Sequence, residues 1–157
     1  MELMVEGVVA GVLGTLAMDA LNLLFARLGW ISKIDVRGIG RMAVGWTRGR
    51  LRYGHPSEME EVANDKLYGY ITHHLIGLGF AIPYVFGWVF LFGGAASPGW
   101  APVYGLATTV ASWFLVYPSM GFGAFGMRSP DGLKAPISSL ANHLFFGLGM
   151  AAGVALV

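Results

Sequence analysis

A chain of 157 residues has room for one domain, and with 55% hydrophobic and 12% charged residues it departs from soluble domains, in which about 25% are charged. The absence of cysteine excludes disulfides, thiolate metal sites, iron–sulfur clusters and cysteine nucleophiles. A net charge of +1 gives no case for nucleic acid as a partner, while 24 glycines set in long apolar runs point to membrane helices that approach closely.

The first apolar segment, residues 3–28, is long enough to cross a hydrocarbon core, which takes about 20 helical residues. It opens on Glu2 and Glu6 and lacks the basic start of a cleaved signal peptide, so it is expected to stay in the mature protein. A polar loop follows, residues 29–66. Within it Ile39, Met42, Ala43 and Trp46 recur at helical spacing beside Arg37, Arg41 and Arg48. That pattern predicts a short amphipathic helix on the inner membrane surface, with the three arginines among lipid headgroups. "SEME", Ser57 to Glu60, is a capping-box pattern and predicts that the second long helix starts before it enters lipid. Three more apolar segments complete the chain, at 67–93, 102–120 and 137–157, the last with Pro136 in its first turn. The expected fold is all-α: a polytopic membrane protein of four transmembrane helices in an up-down bundle.

All ten basic residues flank or occupy the first and third loops, and the second loop and both termini have none. The positive-inside rule therefore puts those two loops in the cytoplasm and both termini outside. Trp88, Trp100 and Tyr104 outside, and Trp30, Tyr68 and Tyr70 inside, read as interfacial belts. "HHLIGLGFA" from His73 and "HLFFGLGMA" from His143 share H-x-x-x-G-L-G-x-A, and "GVLGTLAMDAL" from Gly11 matches "GLATTVASWFL" from Gly105 more weakly. Two parallel helical-hairpin repeats would produce these matches; so would the small alphabet of membrane helices. "GVVAG" (Gly7, Gly11) and "GMAAG" (Gly149, Gly153) offer small-residue faces for packing or for a homodimer.

The order of "MD" in the first helix, "GR" at Gly40–Arg41, His73 with "IG" three residues on, "YPSMGFG", "SP" near Arg128 and "NHLFFGLG" resembles a family of small bacterial inner-membrane proteins carried only as a domain of unknown function. The matching positions are Asp19, Arg41, His73, Pro118, Gly121, Gly123, Ser129, Pro130 and His143, while His74 stands where an aromatic residue is expected. The resemblance implies the fold and a multi-pass location in the bacterial inner membrane, and supplies no activity.

Asp19 is the one acidic residue well inside a span, where a carboxylate is costly and marks a candidate site. At 1.5 Å per residue it lies about 13 Å from the cytoplasmic end, and His73 and His143 each about 9 Å. Asn22, Thr72, Ser119 and Asn142 fall at or just inside the same layer, whereas His74 is turned about 100° from His73. Buried Asp and His exchange protons readily, so one reading is a relay for protons, or handling of a small ion or polar solute, open to the cytoplasm. A second is a cofactor: haem b held between His73 and His143, or a divalent metal on His73, His143 and Asp19. A third is structural, with polar side chains holding helices together in a homo-oligomer or as an accessory subunit of a larger membrane complex. No dinucleotide fingerprint or nucleophile elbow is present, so neither a nucleotide-binding enzyme nor a hydrolase at Ser138 and Ser139 is expected.

Overall fold

In the computed structural model, which describes residues 1–157, α1 spans Glu2–Arg27, α2 Val36–Thr47 and α3 Asp65–Phe92. Helix α4 (Ala101–Ala111) runs through a π-helical segment, Ser112–Val116, into a single turn, α5 (Tyr117–Ser119), and α6 covers Lys134–Leu156. The architecture is all-helical, with no strand. Three helices, α1, α3 and α6, are long and apolar enough to cross a membrane. Large apolar side chains on them, among them Leu16, Leu75, Phe90 and Leu148, remain exposed, as suits an exterior in contact with lipid.

The fourth apolar segment is helical only as a broken run. Pro118 has no N–H to offer the carbonyl of Phe114, and the Tyr117 N–H bonds Ser112 O, five residues back, which widens the turn.

Helix α1 lies between α3 and α6, and α4 packs on α6, so the long helices form an arc in which α3 and α4 barely touch. Small residues set the spacing. A Cβ added at Gly149 or Gly153 would come within 2.5 Å of the α1 backbone, and one at Gly7 or Gly11 within about 3.1 Å of Ile82 or Leu78 of α3. Both small-residue faces that could have served a homodimer are therefore closed within the chain, and the structure gives a dimer through them no support. Phe146, Met150, Ala10, Ala81 and Val85 form the core of this contact.

The amphipathic segment of the first loop is α2, capped by Asp35, whose carboxylate accepts the Gly38 N–H at 2.9 Å. Its apolar side chains Ile39 and Met42 close on Met59, Met120 and Tyr53, forming a small protein core rather than a face left for lipid. Gly40 and Gly69 let α2 lie directly on the start of α3, because a Cβ on either would fall within 1.9 Å of a carbonyl oxygen of the other helix. Arg37 and Arg41 then both reach Asp65, at 3.2 and 3.0 Å, and Arg48 pairs with Glu60 at 3.4 Å. "SEME" does not start α3. Pro56–Glu58 is one 3-10 turn, the Glu58 carboxylate accepts from Gly54 N–H and Arg50, and Asn64 turns left-handed just before α3 begins at Asp65.

Candidate functional site

Helices α3 and α6 place His73 and His143 in the wall of one cavity of about 720 Å³. The cavity runs from Phe80 and Phe146 in the middle of the helices down to the loops that carry Lys33 and Arg128. Its volume falls within the range of about 300–1,000 Å³ that holds small molecules.

Asp19 stands behind His73 rather than in the wall, with its Oδ1 3.0 Å from His73 Nε2. The two side chains are 26% and 13% exposed, half-buried on an apolar scaffold where a carboxylate gains most from a partner. With Nε2 donating to Asp19, Nδ1 is the His73 nitrogen left without a protein partner.

His143, 8% exposed, is bound on both sides. The Thr108 hydroxyl donates to Gly105 O at 2.6 Å, so its oxygen accepts from His143 Nδ1–H at 2.7 Å. Donor counting then assigns the Ser112 hydroxyl as donor to His143 Nε2, at 2.8 Å. Both ring nitrogens are engaged, and a neutral tautomer satisfies every partner. His143 would have to give up both bonds to ligate iron or another metal. No group of three or more His, Asp or Glu is arranged to hold a metal ion. The haem and metal readings of Asp19, His73 and His143 therefore gain no support from the geometry.

Of the polar residues expected beside this layer, Asn142 lines the cavity and Asn22 backs it. Asn22 donates to Asn142 Oδ1 at 3.0 Å and to Ser32 O at 2.9 Å, and accepts from Ile34 N–H at 3.2 Å. Together with Ser32 N–H donating to Ser138 Oγ at 2.7 Å, this ties the loop after α1 across the N-terminal end of α6. Thr72 and Ser119 are not in the cavity wall. Nor is His74, whose Nδ1–H donates to Tyr70 O one turn back at 3.1 Å. Thr108 and Ser112 are the functional side chains that sequence reasoning passed over. The available signal was Thr108, Thr109 and Ser112 within one turn of a largely apolar span.

Neither the curated proteins nor the solved structures contain a match to this chain. Residues 8–157 match the family described as "Protein of unknown function (DUF2938)", and the chain belongs to that family.

Proposed function

We propose that the protein is a four-span protein of the bacterial inner membrane, with both termini outside, that handles protons together with a small solute in a cavity open to the cytoplasm. The carrying observation is the Asp19–His73 pair, at 3.0 Å, behind the wall of a 720 Å³ cavity. His73 takes and releases a proton at Nδ1 on the cavity side, and the Asp19 carboxylate stabilises the imidazolium through Nε2–H. His143 is a fixed strut in this reading, since both of its nitrogens are committed to α4 and the π-helical segment. The run from Ala101 to Ser119 serves as the fourth crossing, and the clustering of all ten basic residues in two loops sets the orientation. A duplicated hairpin belongs to the same reading: His73 bonds Asp19 of the preceding long helix, and His143 bonds Thr108 and Ser112 of its own predecessor.

The test is proton flux in liposomes, driven by a potassium gradient with valinomycin and read with an enclosed pH-sensitive dye. Asp19→Asn and His73→Gln are each expected to lower the flux by about tenfold or more, while His143→Gln lowers the melting temperature and leaves measurable flux. Equal flux in wild type, Asp19→Asn and His73→Gln would refute the proposal.

A further inference from the structure

The polar residues of the cavity wall have mostly spent their hydrogen bonds on the protein. His143 is held by Thr108 and Ser112, Asn142 by Asn22, Ser138 donates to Lys134 O, Thr15 to Gly11 O, and Tyr117 to Ala135 O. Those groups offer a ligand little, which leaves His73 Nδ1, the Asn142 amide nitrogen and the buried Ser32 hydroxyl among the uncommitted polar atoms of a largely apolar wall. At the cytoplasmic rim Lys33 and Arg128 form no ion pair. Two carboxylates share that rim with the two cations, Asp35 capping α2 and Asp131 without a side-chain bond.

The cavity also has a side. In the outer half of the bundle α3 is joined to α4 by Tyr104, whose hydroxyl donates to Phe80 O at 2.9 Å and whose ring lies 4.9 Å from that of Tyr84. Below that level no hydrogen bond or ring contact links α3 to Ser112–Val116, although Ile76 on one side and Ser112 and Val116 on the other all line the cavity. The two walls are thus thinly connected on the side away from α1, with Ile39 and Met42 of α2 reaching Met120 below them.

Two rim cations, one imidazole with a free nitrogen, a largely apolar interior and a thinly connected flank fit one kind of molecule. We propose that the solute is a weak-acid amphiphile, its carboxylate bound at His73 Nδ1 and its apolar chain running past Ile76 and Phe80 into the gap between α3 and the π-helical segment. The proposal rests on the cavity being the working site and gives its ligand a class. The carboxylate replaces water at His73 with a charge-assisted hydrogen bond, backed by Asp19 on the far ring nitrogen. The chain meets side chains in place of water, and in the gap it meets lipid.

The experiment uses full-length protein with ¹⁵N-labelled histidine in phosphatidylcholine nanodiscs, where four histidines give few side-chain signals. Octanoate, acetate and 1-octanol are titrated separately. Octanoate is expected to move the His73 signal with a Kd lower by about tenfold or more than either acetate, which lacks the chain, or octanol, which lacks the charge. Ile76→Trp and Val116→Trp, on opposite walls of the gap, are each expected to weaken octanoate by about tenfold and to leave acetate unchanged. Either variant suffices if the other fails to fold. Acetate or octanol binding as tightly as octanoate, or octanoate binding unmoved by the tryptophans, would overturn the proposal. Proton flux on the same preparations separates the two ideas: loss of octanoate binding with flux intact strikes the ligand class alone, and octanoate binding without flux strikes the relay alone.

Discussion

Replacing Gly40 with alanine tests the joint between α2 and α3. In an open helix the change gains about 1 kcal/mol of helix propensity. Here the new Cβ would lie 1.8 Å from Asp65 O, against the 3.4 Å at which ordinary contact begins, so the helices must part by roughly 1.6 Å. That movement also pulls Arg41 and Arg37 from Asp65, which they hold at 3.0 and 3.2 Å. Overpacking of this kind costs about 1–3 kcal/mol, leaving a net loss of up to about 2 kcal/mol after the propensity gain. For a chain of this size that corresponds to a melting temperature lower by up to about 8 °C. The assay is thermal unfolding in detergent, followed by tryptophan fluorescence, with Gly79→Ala as control because nothing lies within 4 Å of its added Cβ. Gly79→Ala should be neutral or stabilising by up to about 1 kcal/mol. If Gly40→Ala melts at or above Gly79→Ala, the backbone contact between the two helices is not what holds α2 in place. Octanoate affinity should fall in the same variant, because neighbouring Ile39 lines the cavity.

Ser112→Ala leaves His143 Nε2 without its donor and should cost about 1–3 kcal/mol in thermal unfolding. Combined with Thr108→Val the loss should be less than additive, since both changes act on one ring; strict additivity would refute the shared network. Asn22→Leu strands Asn142 Oδ1, Ser32 O and Ile34 N–H at once, and should lower stability by about 1–3 kcal/mol for each group left without water. The absence of native cysteine makes topology simple to read. A thiol at Gly94→Cys should react with a membrane-impermeant maleimide from outside and one at Ser57→Cys only after the membrane is opened; the reverse order would refute the orientation.

The long helices were legible because lipid imposes a length. The three unbroken apolar segments coincide with the three helices able to cross a membrane. In the fourth, Pro118 signals a lost hydrogen bond at Phe114 O, but hydropathy carries no sign of the π-helical turn that absorbs it. Depth was readable too, because helical rise is fixed. That arithmetic puts Asp19 and His73 in neighbouring turns, but it carries no information about which way a side chain faces across the bundle. For the same reason it gave no sign that His143 turns to Thr108 and Ser112. Gly40 and Gly69 illustrate a second blind spot. In sequence, glycines in the loop weaken the case for a helix. In three dimensions they are what lets α2 touch α3, and they turn an amphipathic helix from the lipid surface onto a protein core.

The arc of helices leaves α3 fastened differently along its length. Toward Phe92 it is gripped on one flank by α1 and on the other by Tyr104, while toward Asp65 it carries α2, which closes on Met120. A swing of the Asp65 end of α3 away from the π-helical segment, pivoting near Phe80, would have to part Ile39 and Met42 of α2 from Met120. Because α2 is locked to that same end, the polar cap would travel with it, and side door and floor would open as one piece.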